Sequence, residues 1–110
     1  MGLYKAFVQS TTTTPVQFAN TATITSAILS STAPAVILPA RSNNRRGMII
    51  ENNGSVPMIF GYGATVSVAT RTALLNPNDV FSDDVSWQGV ISAMSVGSAG
   101  SANFTEIVVI

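Results

Sequence analysis

Arg45-Arg46-Gly47-Met48-Ile49-Ile50-Glu51-Asn52-Asn53-Gly54-Ser55-Val56-Pro57-Met58-Ile59-Phe60-Gly61-Tyr62-Gly63 is the stretch on which the fold turns. Two apolar runs flank Asn53-Gly54, the dipeptide that best satisfies the positive φ angles of a type I′ turn. The expectation is one β-hairpin, with Glu51 facing Val56, Ile49 facing Met58 and Ile50 facing Pro57. Side chains alternate across a strand. One face would then carry Ile49, Val56, Met58 and Phe60, and the other Met48, Ile50, Pro57 and Ile59. Both faces are apolar, whereas a sheet with one wet side alternates apolar and polar residues. The hairpin therefore buries one face in its own core, and a second sheet, an arm or another subunit covers the other.

The surrounding composition narrows the classes of function. The 110 residues suffice for one domain with a usable core. Charged residues make up 9% of the chain, against about 25% in soluble domains generally, and Ser and Thr supply 25 positions. Net charge is zero, which argues against a nucleic-acid binder that relies on a broad basic surface. There is no cysteine, hence no disulfide framework, zinc knuckle or thiol nucleophile. No apolar run reaches the ~18 residues of a membrane-spanning helix. The first ten residues make a poor signal peptide.

Outward from the central block, the chain reads as short strands between turns. Residues 1–20 are expected to form an extended arm, because Thr11-Thr12-Thr13-Thr14-Pro15 is β-branched and ends in a proline that keeps its predecessor extended. Residues 21–110 are expected to form the single folded domain. Thr21–Leu29 and Ala35–Leu38 read as strands. Val66–Val68 and Thr70–Leu75 read as further strands, with Asn76-Pro77-Asn78-Asp79 as a turn, and Val80-Phe81-Ser82 and Trp87-Gln88 flank Asp83-Asp84. Residues 89–96 and 104–110 are expected to pair with each other across Gly97–Ser101. No segment shows a helical period. The fold class is all-β: a small antiparallel β-sandwich or jelly-roll-like barrel with an extended N-terminal arm.

Little in the sequence supports catalysis. Without His or Cys, the common triads and most zinc sites are gone. A Ser–Lys arrangement would need Lys5, which lies in the arm, whereas a catalytic lysine must be desolvated and held. Asp83 and Asp84 are adjacent, so a strand would point them to opposite faces, which does not suit a paired-carboxylate hydrolase. Asp79, Asp83 and Asp84 match no EF-hand spacing. Gly61-Tyr62-Gly63-Ala64-Thr65-Val66 starts like a dinucleotide fingerprint but has Val66 in place of the third glycine. No enzyme activity, metal or cofactor is expected. Tyr62 and Trp87 could stack on a sugar or serve as core anchors. The arm hydrophobes Tyr4, Phe7, Val8, Val16 and Phe18 are the first candidates for partner contacts, being too many for a solvated tail. Arg45 and Arg46, in the one basic cluster, come next, since arginine grips carboxylates bidentately.

The order Val36-Ile37-Leu38-Pro39-Ala40, Asn44-Arg45-Arg46-Gly47-Met48-Ile49-Ile50, Asn53-Gly54-Ser55, Phe60-Gly61-Tyr62-Gly63-Ala64-Thr65 and Gly89-Val90-Ile91-Ser92-Ala93 resembles small structural proteins of tailed bacteriophages. It covers roughly residues 35–95. The resemblance implies a virion component on the capsid exterior: a decoration (cement) protein, homotrimeric, bound to the major capsid protein and gripping neighbours through its N-terminal segment. A head-binding or receptor- or carbohydrate-binding module of a tail or fibre is the alternative.

Overall fold

The computed structural model describes residues 20–83 and 87–109. Among the described residues, eight strands follow in order: β1 (Asn20–Leu29), β2 (Ala35–Leu38), β3 (Arg45–Glu51), β4 (Met58–Tyr62), β5 (Ala73–Leu75), β6 (Val80–Asp83), β7 (Ile91–Ser95) and β8 (Gly100–Val109). They form two antiparallel four-stranded sheets, one ordered β1-β8-β3-β6 and the other β2-β7-β4-β5. This is the strand order of a jelly roll, in which consecutive strands alternate between sheets. Among the described strands, only β4 and β5 are both consecutive and paired; the other connections cross from one sheet to the other.

The expected hairpin does not form. β3 and β4 lie in different sheets, and residues 52–57 arch between them. Gly54 keeps an ordinary φ, so no type I′ turn exists here. The glycine answers a different need: a Cβ at Gly54 would stand 2.9 Å from the Ser101 backbone nitrogen, at the start of β8. Asn52, fully buried, holds the arch. Its Nδ2 donates to Val56 O and Leu75 O, both at 2.9 Å, and its Oδ1 accepts the Gly54 N–H at 3.0 Å. Its backbone N–H donates to Asp79 O and its carbonyl accepts from the Asn78 N–H. The expected pairing of residues 89–96 with 104–110 fails in the same way. β7 lies between β2 and β4, and β8 between β1 and β3, with Gly97 at φ 90° in the arch. Both errors share a cause: turn chemistry reverses the chain without saying into which sheet it returns. The Asn76–Asp79 turn is present, with the Asp79 N–H donating to Asn76 O at 2.9 Å and Asn78 at φ 73°.

The core lies between the sheets. Leu29, Leu38, Met48, Ile50, Met58, Phe60, Leu75, Ile91, Ala93, Ala102 and Phe104 form one buried cluster. Phe60 and Phe81 meet at 4.8 Å between centroids, a favourable tilted aromatic pair. Ile59 is also fully buried although it points away from the core, on the parity opposite to Met58 and Phe60. Residues 63–72, expected in part as a strand, instead fold as a loop over that outer face, with Val66 buried where a Gly61 Cβ would meet it at 3.2 Å.

Candidate functional site

Arg45 is not a partner-facing residue. It is 3% exposed, at the start of β3 beside a bulge between Arg45 and Gly47 that turns its side chain inward. Its Nε donates to Glu106 Oε2 at 2.9 Å, Nη1 to Trp87 O and Gly89 O at 2.8 Å, and Nη2 to Pro39 O at 2.5 Å. Gln88 closes the ring, accepting the Arg45 N–H at 2.9 Å and donating to Arg45 O at 3.0 Å. Arg41 grips the same carboxylate from outside, through Nε to Oε2 at 2.9 Å and Nη2 to Oε1 at 2.7 Å. The Arg41 hydrogen bond holds the Glu106 carboxyl below its ordinary pKa, more than burial raises it, and Glu106 in return raises Arg41. The cluster ties the β2–β3 loop, the segment before β7 and β8 to one point. The sequence contains its signal: Glu106 shares strand parity with Phe104, so a carboxylate points into a core and requires a cation.

Tyr62 and Trp87 stack on one another, with centroids 5.5 Å apart and planes 5° from parallel. Their polar ends are engaged too. Trp87 Nε1 donates to Val90 O at 2.8 Å, and the Tyr62 hydroxyl donates to the Asp83 carboxylate. Burial first, then the carboxylate, raises the Tyr62 phenol well above its ordinary pKa. The Trp87 ring rests on Gly89, where a Cβ would come within 2.4 Å of it. Both aromatics are core anchors with satisfied polar tips. Among the described residues, the carboxylates have structural partners or stand apart: Glu106 with two arginines, Asp83 with Tyr62, Asp79 capping the Asn76 N–H at 2.9 Å, and Glu51 exposed. No three acidic residues gather among the described residues.

Among the described residues, the outer face of the β1-β8-β3-β6 sheet is left uncovered. The register aligns Ile24, Thr105, Ile49 and Ser82 in one row across four strands, and Ala22 with Ile107 beside it. Ile24 is 68% and Ile28 84% exposed. A shallow cleft of about 370 Å³ opens on this side, lined by Arg46, Gly47, Ile49, Ser82, Asp83 and Ile107 among others. Arg46 lies at the surface, on the rim of this cleft. Tyr4, Phe7, Val8, Val16, Phe18, Lys5 and Asp84 lie outside the described residues.

No protein-family profile matches the chain, and none of the curated proteins does. Among solved structures, it is similar to a chain from Bacillus endospore appendages, described as a novel family of disulfide-linked pili. The TM-score is 0.50 at 14% identity, over 86% of this chain and 91% of that one. The likeness is one of fold.

Proposed function

We propose that the protein is a non-enzymatic structural subunit that decorates the outer surface of a capsid and bridges neighbouring capsid subunits. The observation that carries this reading is the contrast between its chemistry and its surface. The described ionisable side chains are largely engaged in holding the sandwich together. The outer sheet face, by contrast, presents isoleucines among small hydroxyl residues. Such a face suits repeated burial against a partner. Many weak contacts over a symmetric shell add through avidity. The arm hydrophobes Tyr4, Phe7, Val8, Val16 and Phe18 supply the second grip on the major capsid protein. The phage-like run over residues 35–95 favours a capsid as the setting.

A subunit of a fibrous appendage is the second reading, favoured by the fold shared with the endospore appendage chain. These 110 residues contain no cysteine, so they cannot form a disulfide link of their own. Co-sedimentation with empty capsid shells from the source particle separates the readings. Saturable binding to shells, with no fibres from the protein alone, supports decoration. Fibres that form from the protein alone, with no shell binding, support the appendage.

A further inference from the structure

Of the four sheet edges among the described residues, three are blunted. β2 has four residues, a bulge between Val36 and Leu38, and Pro39 behind it. β5 has three residues with Pro77 shortly after. β6 has four residues and ends on Asp83. Short strands, bulges, prolines and charges are the usual protections against edge-to-edge pairing. β1 has none of them. It runs ten residues, Asn-Thr-Ala-Thr-Ile-Thr-Ser-Ala-Ile-Leu, in unbroken register with β8 from Asn20↔Val109 to Leu29↔Gly100. It carries no charge and no proline, and seven of its first seven positions are exposed.

We infer that β1 pairs antiparallel with β1 of a second copy of this chain, joining two β1-β8-β3-β6 sheets into one of eight strands. This deepens the structural-subunit reading by naming the self-contact. The partner is another β1 because the strand is complementary to itself. Centred on Ile24, the pairing sets Ile24 against the partner's Ile24, Thr23 against the partner's Thr25 and Ala22 against the partner's Ser26. β-branched and Thr–Thr cross-strand pairs are favourable. A charge-free strand meets its copy without repulsion. Eight strands lie within the ordinary size of a sheet. The contact is isologous and closes at two copies, where the phage resemblance implies three.

Light scattering after size exclusion on the full chain is the first test, with a dimer expected. Ile24→Cys then reads the register, because the sequence has no other cysteine to compete. Opposed Cα atoms about 4.5–5.5 Å apart suit a disulfide, so mild oxidation gives a covalent dimer. Ser26→Cys cross-links at least tenfold less, its partner lying about 13 Å along the strand at ~3.3 Å per residue. Ile24→Lys, and independently Ser26→Lys, halves the mass; Val68→Lys, on the far loop, leaves it unchanged. A monomer, a trimer, or a mass indifferent to both lysines overturns the pairing, as does Val80→Cys cross-linking as readily as Ile24→Cys. Shell binding is read separately. A dimer that ignores shells overturns decoration alone, and a non-dimer that binds shells overturns the pairing alone.

Discussion

Arg45 and Ile24 belong to the same sheet, with a single strand, β8, between theirs. Arg45 is 3% exposed, and its guanidinium reaches Glu106 and three backbone carbonyls. Ile24 is 68% exposed on a strand with no charge at all. A soluble domain ordinarily does the reverse, keeping charge outside and isoleucine inside. Here a chain with five cations and five acids places much of that charge where it closes the fold. The lesson is that sparse charge can be used for specificity inside, which leaves a surface fit to be covered.

The largest effects should come from opening the closed region. Arg45→Met leaves Glu106 with Arg41 alone and strips partners from Pro39 O, Trp87 O and Gly89 O. Removing one partner of a buried pair costs about 3–5 kcal/mol, so chemical denaturation should show a loss of that size. Asn52→Ala removes three side-chain hydrogen bonds from the β3–β4 arch. At about 1–3 kcal/mol for a buried group left unsatisfied, a loss of about 3 kcal/mol is expected in the same assay.

Acid and alkali open the same region more gently. Glu106 titrates below its ordinary value of 4.5 in the fold. Its stabilisation is therefore full above pH 4.5 and declines as pH falls through the depressed folded value. Glu106→Gln should lower stability at neutral pH and flatten the acid limb of a melting-temperature profile. Tyr62 titrates above its ordinary 10.0. Its contribution holds below pH 10 and fades as the phenol ionises beyond it. Tyr62→Phe should flatten the alkaline limb.

The smallest effect on the fold should come from the open edge. Measured at concentrations where both proteins are monomeric, Ile24→Lys should change unfolding free energy by under about 0.5 kcal/mol, as exposed substitutions do, while abolishing self-association at higher concentration. A large loss of stability from this variant would mean that β1 is not the exposed edge described.

The sequence made the strands legible but not their neighbours. β1, β2, β3, β4, β5, β7 and β8 fall within runs read as strands, because β-branched and apolar residues between turn signals mark a strand locally. β6 was not marked, its Val80-Phe81-Ser82 being too short a run before Asp83. Pairing is not local. Asn53-Gly54 promised a hairpin, yet Asn52 Oδ1 takes the Gly54 N–H and the chain arches into the other sheet. Val66 looked like a strand residue and is a plug over Gly61. Trp87 as a core anchor was readable from its chemistry. Arg45 was not: its carboxylate lies 61 positions away, and its inward turn depends on a bulge that nothing in Arg45-Arg46-Gly47 announces. The edge character of β1 was equally hidden, since a strand's place in a sheet depends on all the other strands.

Amide hydrogen exchange, followed by mass spectrometry on dilute protein and on concentrated or shell-bound protein, tests the contrast most directly. Peptides over β3 should be protected throughout, while those over β1 should exchange rapidly when dilute and become protected on assembly. Equal protection of β1 and β3 in dilute protein, unchanged by assembly, would contradict the account.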